Sequence, residues 1–388
     1  MRVYLDNNAT TKMDPKVLEA MMPFLTEEYG NAFSMHLFGK ETGIAVSEAR
    51  EKIATLLKVK AEEIIFTSSG TESDNIAVRG VAKAYKNRGN HIITSTIEHP
   101  AIKNTFKDLE QDGYKVTFVP VDKNGVIDVR ALEEAITPET VLISVMHANN
   151  EVGTIEPIKL IGEIAKKNRV LLHVDAVQTV GKIPVYPKEL GADLLTFSGH
   201  KFHGPKGIAG LYVRQGVRVA RTITGGGQEK KLRPGTTNTP AVVGMAKALE
   251  IACEEMDVEI KREEKLRDYF EDEIVKRIPE VVINGKAVER LPGTSSVTFK
   301  YLEGESILLS LSYLGIAVSS GSACSSDELQ ASHVLLGMGI EPEFAHGTIR
   351  FSIGKYNTRE EIDYTIEQVE KVVEKLRMLS PLWNEYKK

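Results

Sequence analysis

Cysteine is almost missing from this sequence: Cys253 and Cys324 are the two thiols among 388 residues. So small a number excludes a disulfide framework and does not resemble a zinc ligand set, so each thiol has to be read separately. No apolar run is long enough to cross a bilayer, and the opening MRVYLDNNATTKMD turns polar within a few residues. The expectation is a soluble cytoplasmic protein without membrane contact. Long runs of one charge sign are absent too, and the net charge is only −5. That pattern argues against a nucleic-acid groove and leaves a small molecule or another protein as partner. Neither an internal repeat nor a low-complexity linker interrupts the chain.

What is present is enough apolar residue for more than one core, with 42% hydrophobic content at this length, so two unequal domains are expected. From about residue 60, short β-branched apolar segments alternate with longer amphipathic ones: EIIFTS (63–68), HIITST (91–96), KVTFVPV (115–121), TVLISVMH (140–147), VLLHVDA (170–176), LLTFSG (194–199) and GLYVR (210–214). Alternation of this kind predicts an α/β fold with a mostly parallel seven-stranded sheet. In ESDNIAVRGVAKAYKNRG, the spacing of Ile76, Val78, Val81, Ala82 and Tyr85 predicts a helix that ends before Gly89. After a charged helix at about 257–277 the pattern changes to VTFK, GIAVSSG and GTIRFSIG separated by helices, which predicts a smaller α+β domain. The expected division is 15–256 for the large domain, with 1–14 and 257–388 forming the small one. Residues 1–14 are expected to extend across the surface to that domain or to another subunit.

Three segments look chemical. In SGHKFHGPKG (198–207), Lys201 follows an apolar strand, where catalytic groups collect, and Ser198 and His200 beside it are hydrogen-bond donors suited to a phosphate. Glycines on both sides let a backbone approach a ligand closely. In HVDAVQ (173–178), Asp175 ends another apolar strand and needs a cation if buried; a protonated pyridine nitrogen would serve, and a helix cap is an equal reading of Asp175 alone. In FTSSGTESDN (66–75), a strand runs into a turn and opens a helix with Glu72 and Asp74 in its first turn, so Gly70 and Thr71 can offer an N–H and a hydroxyl to a phosphate. N-capping by Ser or Thr is compatible with that role.

These segments occur in order with IEHPA (His99), HANNEVG (147–153), GGGQE and RPGT (233–236), and together they resemble the cysteine desulfurases of the NifS/IscS type, class-V aminotransferase relatives with the fold-type I of pyridoxal-phosphate (PLP) enzymes. The similarity runs from YLDNNAT to IRFSIGKYNT (349–358), nearly the whole chain. The resemblance implies PLP as cofactor, L-cysteine as substrate and an obligate homodimer. It implies that Lys201 bonds the cofactor, Asp175 partners its pyridine nitrogen, Gln178 donates to its phenolic oxygen and His99 stacks on its ring. Gly70, Thr71, Ser198 and His200 would hold the phosphate, with Thr236 reaching in from the second subunit. Asn150 would lie near the cofactor oxygen and the substrate, and Arg350 would fork to the substrate carboxylate, although Arg350 on an apolar strand equally suits a structural ion pair. Pro234 stands where the family pattern has a serine or similar residue, a departure that removes no side chain given a role.

The thiols then separate. Cys324 lies in SSGSACSSDE (319–328), rich in Ser and Gly, which reads as a mobile exposed loop, and it matches the family's sulfur acceptor. Cys253 in MAKALEIACEEM has helical spacing with apolar neighbours and reads as a small buried hydrophobe without chemistry. The implied reaction has Lys201 take the Cα proton and the Cys324 thiolate take the substrate sulfur as a persulfide, with His99 or Lys201 returning a proton as alanine leaves. The persulfide would then pass to an acceptor protein, an iron–sulfur scaffold suiting best, and Cys324 could transiently ligate a cluster held there; no standing metal site is expected. An aminotransferase would share Lys201 and Asp175 but have no use for a thiol at 324; a selenocysteine lyase is a nearer alternative, and a non-catalytic assembly platform is the reading outside enzymology.

Overall fold

The computed structural model describes residues 1–320 and 331–386. The chain opens with a short strand, β1 (Val3–Tyr4), whose partner lies near the other end of the sequence. The next strands are β2 (Ile64–Thr67), β3 (His91–Ser95), β4 (Lys115–Val119), β5 (Thr140–Met146), β6 (Leu171–Asp175), β7 (Leu194–Ser198) and β8 (Ala209–Val213). They form one sheet in the order β2-β8-β7-β6-β5-β3-β4, with β8 antiparallel to both neighbours and the other pairs parallel.

The period of two in each strand decides what it buries. Ile64, Phe66, Ile93, Ile143, Leu172, Val174, Leu195 and Phe197 join one apolar cluster. Ile65, Ile92, Leu142, Leu171, Leu194 and Leu211 join another. Successive side chains point to opposite faces, so a strand apolar at every position is one covered on both sides. The helix Gly70–Tyr85 covers one face through Ile76, Val78, Val81 and Ala82. The helix Ile158–Lys167 covers the other through Ile158, Ile161 and Ile164.

The charged helix expected at about 257–277 is the second half of a longer one, Thr239–Arg277. Its first half carries Ala241, Val242, Met245 and Leu249 into the sheet's cluster. Its last turns carry Phe270 and Ile274 into a separate cluster. That second cluster is built on β9 (Val281–Asn284), β10 (Thr294–Phe299), β11 (Ile316–Ala317), β12 (Ser319–Ser320) and β13 (Thr348–Ser352), with an antiparallel sheet in the order β12-β13-β10-β9. The helix Arg359–Leu379 covers it, its first turn closed by a reciprocal Thr358–Glu361 capping box.

The first residues do join this second cluster, where β1 pairs parallel with β11, but they do not run across the surface. Val3 and Leu5 are buried in the cluster, because a strand ladder and an apolar face were both available to them there. Asn7 and Asn8 are tied to the second sheet, Asn7 donating to the Ser352 carbonyl at 2.8 Å and Asn8 to the Thr294 hydroxyl at 2.8 Å, while the Asn8 carbonyl reaches the large domain by accepting from Gln178 Nε2 at 3.0 Å. Among the described residues no helix is long and apolar enough to cross a membrane.

Candidate active site

Strands β2, β3, β5, β6 and β7 run the same way, so the loops leaving their C-terminal ends meet at one edge of the sheet. Ligands collect at that edge in open α/β sheets because backbone groups and helix N-termini point there. The loops and the turn after β1 enclose a cavity of about 490 Å³.

Each loop contributes by its own local logic. After β2, Ser69 caps the helix Gly70–Tyr85 by accepting from the Glu72 amide at 3.1 Å, which leaves Gly70 and Thr71 in the open first turn on the cavity wall. A Cβ on Gly70 would stand 2.9 Å from Val177 Cγ2, so glycine is what allows the loop after β6 to close on this turn. After β3, His99 caps the helix Pro100–Gln111, its Nδ1 accepting from the Ala101 amide at 3.1 Å. That bond puts the ring proton on Nε2. Burial, reinforced by Lys201, pulls this imidazole down to about 4, so it is neutral at physiological pH.

After β6, Asp175 accepts from the Val177 amide at 3.0 Å. Burial raises its carboxyl to about 6, with the Val177 bond and the Lys201 charge holding it from going higher. After β7, the 3-10 turn Gly199–Lys201 brings Lys201 to the cavity, where its Nζ donates to the carbonyls of Asn8 and, at 2.9 Å, Ala9. His200 meets the Thr10 hydroxyl at 3.1 Å, and burial with Lys201 nearby lowers it to about 4.

From the second cluster, Arg350 on β13 donates to Asn150 O at 2.9 Å and to Asp6 Oδ1 at 2.7 Å, while its Nε has no partner. It is therefore both an ion-pair residue and a cavity residue. Gln178 lines the cavity with its amide nitrogen partly engaged, donating to Asn8 O at 3.0 Å.

The structure thus gathers Gly70, Thr71, His99, Asn150, Asp175, Gln178, Ser198, His200, Lys201 and Arg350 around one space. Thr236 is exposed and is not on the wall of its own chain's cavity. Cys324 lies outside the described residues. Cys253 is half-buried against the sheet's cluster, and burial pushes its thiol up, away from the reactive thiolate.

Sequence reasoning missed several cavity residues. Asp6 and Asn8 lie in the LDNNAT turn, and a polar run directly after a buried Leu5 was the one signal they offered. Asp74 reads from the sequence as a helix first-turn acid, yet it is buried on the wall, its Oδ1 without a hydrogen bond and 3.6 Å from His173 Nε2. Burial and the Asp175 charge raise it well above the usual carboxylate range. Behind it Glu98 is fully buried and raised by burial to about 8.

Pyridoxal phosphate suits these residues. The open helix turn at Gly70 and Thr71 fits a phosphate, and a neutral imidazole at His99 can lie against a protonated ring without charge repulsion. A buried carboxylate with a perturbed titration gains from a protonated pyridine nitrogen.

Comparison with known proteins agrees. The aminotransferase class-V family model matches residues 3–365. A protein of Dictyoglomus turgidum named cysteine desulfurase IscS is 51% identical, covering 99% of this chain and 98% of that one. A cysteine desulfurase of Trichormus azollae is 50% identical over 99% of this chain and 96% of its own. The solved structure of a NifS-like protein superposes with a TM-score of 0.92 at 44% identity, covering 97% of this chain and all of that one.

Proposed function

The chain belongs to the aminotransferase class-V family, and we infer that it is a PLP-dependent cysteine desulfurase, converting L-cysteine to L-alanine while Cys324 takes the sulfur as a persulfide. The observation that carries this reading is the meeting of Lys201, Asp175, His99 and the open turn at Gly70 around one cavity. When bound, pyridoxal phosphate supplies a protonated ring that draws electrons from the substrate Cα.

The chain's own residues do the rest. Asp175 holds the ring nitrogen in its protonated state, and the low-dielectric setting strengthens that pairing. Gly70, Thr71, Ser198 and His200 hold the phosphate. Arg350, with its planar donors, orients the substrate carboxylate, and Asn150 is tied to it through its carbonyl. Lys201 Nζ takes the Cα proton. His99 covers the ring and, neutral with its one proton on Nε2, offers a hydrogen-bond donor to the site, while the proton that Lys201 Nζ takes is the one it returns to the carbon product. The Cys324 thiolate attacks the substrate sulfur. One S–S bond forms, one C–S bond breaks, and the carbon product regains its proton as alanine, so thiol plus cysteine balance persulfide plus alanine.

The homodimer, the division at 15–256 against 1–14 and 257–388, and the cytoplasmic setting are parts of the same proposal. An exposed apolar stretch supports the dimer: Tyr29 is 70% and Met35 94% exposed, with Phe33, Leu37 and Phe38 beside them. The separate apolar clusters joined by the Thr239–Arg277 helix support the division. The persulfide's acceptor is proposed to be a protein, an iron–sulfur scaffold first.

The test is alanine and sulfide release from L-cysteine with a thiol reductant, for wild type and Cys324→Ala, with visible absorbance recorded for both. Retained cofactor colour with lost turnover supports the sulfur relay. Undiminished turnover in the variant refutes Cys324 as acceptor.

A further inference from the structure

Behind Lys201, on the side away from the main cavity, Lys182 follows the Gln178 turn by four residues. Its Nζ donates to Gln178 Oε1 at 3.1 Å and to Asn8 Oδ1 at 3.1 Å. Burial and Lys201 draw this amine down to about 7 while Glu263 pulls it up, and in either protonation state it has two hydrogens for these two oxygens. The opposite ends of both amides are pinned by acceptors. Gln178 Nε2 donates to Asn8 O at 3.0 Å, and Asn8 Nδ2 donates to Asn150 O at 3.3 Å as well as to Thr294 Oγ1 at 2.8 Å. An amide whose oxygen faces a donor and whose nitrogen faces a carbonyl has one orientation, not two.

We propose that Lys182 is a positioning residue for the cofactor site: it fixes the amide planes of Gln178 and Asn8, so that the second N–H of Gln178 is offered to the cavity. The inference rests on the PLP reading and on Gln178 as a cofactor donor. A purely structural role, neutralising Glu263, is the competing account, since Lys182 and Glu263 both line a small cavity of about 60 Å³ behind the site.

The two accounts separate in a double-mutant cycle read by pyridoxal phosphate binding, measured by equilibrium dialysis of the purified protein without substrate. Lys182→Met weakens binding on the order of tenfold in the wild-type background and less than about twofold in Gln178→Met, the non-additivity expected of residues in one hydrogen-bond network. Lys182→Arg, a side chain with donors only, stays within about threefold of wild type. Equal factors in both backgrounds, or no change in either, overturn the proposal. If Lys182→Met does not fold because Glu263 is left unpaired, the same cycle is run with Glu263→Gln present in every member, and the same criteria apply. A wild type that binds no pyridoxal phosphate would defeat the cofactor reading itself. A Gln178→Met protein with wild-type affinity would remove Gln178 from the binding set and overturn this inference with it.

Discussion

Asp6 and Arg350 are joined across 2.7 Å, carboxylate Oδ1 to guanidinium Nη2, on the wall of the cavity proposed to take the substrate carboxylate. The guanidinium also serves Asn150 O at 2.9 Å, and its Nε remains unpartnered. Two acceptors already held, with a substrate carboxylate as a third partner, can be met by a fork of donors and not by a point charge. Arg350→Lys is therefore expected to raise KM for L-cysteine about tenfold or more, with a smaller change in kcat, because a charge-assisted hydrogen bond contributes roughly 1.5–3 kcal/mol. Steady-state kinetics decide it; an unchanged KM would take Arg350 out of substrate binding.

Gly70 predicts a suppressor. A Cβ there would stand 2.9 Å from Val177 Cγ2, so Gly70→Ala must push apart the two loops that line the phosphate end of the cavity. Affinity for pyridoxal phosphate is expected to fall about tenfold, and Val177→Ala added to the same chain is expected to recover most of it, as coupled neighbours do. Loss of binding that Val177→Ala does not relieve would point to the turn's backbone rather than to this contact.

The parts of the site that were legible in the sequence are those where local pattern and chemistry coincide. Asp175 closes one all-buried strand, Lys201 stands in the turn just after another, and Gly70 and Thr71 open a capped helix, so a run of ten residues contained both the element and the reason for a polar group at its end. Asp6 and Asn8 could not be read that way. Their partners Arg350 and Thr294 are brought in by the pairing of the first residues with the second sheet, a long-range register that no window of sequence contains, and Lys182, though only four residues from Gln178, takes its second partner from the distant Asn8. The burial of Val3 and Leu5 was missed for the same reason: two residues are too few to show a period.

Glu98 carries a pH prediction. Its Oε1 accepts from Ser95 Oγ at 2.6 Å and the Met146 amide at 3.1 Å, while Oε2 has no partner. Burial raises it from 4.5 to about 8, so the folded state holds a proton that the unfolded chain gives up at lower pH. The stability this proton contributes is fully present below pH 4.5 and is lost as pH rises toward about 8. Glu98→Gln keeps the accepting oxygen and cannot ionise. Its melting temperature relative to wild type is expected to become more favourable between pH 5 and pH 8 in thermal scans of the holoenzyme, over the window set by the carboxyl's rise to about 8. A difference that stays constant across that range would show that Glu98 is ionised in the folded protein.

The exposed Thr236, off the wall of its own cavity, leads to a test of the dimer by mixing two defective proteins. Lys201→Ala lacks the lysine of its own site but can lend a sound Thr236. Thr236→Ala has a sound Lys201 but lends a defective residue to its partner. If Thr236 serves the neighbouring subunit, a heterodimer of the two contains one complete site, formed by the Lys201 of one chain and the Thr236 of the other. After subunits are exchanged at equal amounts, about a quarter of all sites are complete, so desulfurase activity should rise well above that of either protein alone. If Thr236 serves its own chain, every site in the mixture carries one defect or the other, and mixing restores nothing. The same experiment with Phe38→Asp in both chains addresses the exposed apolar stretch: a charge placed at an apolar dimer surface should abolish the rescue and shift the sedimentation coefficient toward the monomer.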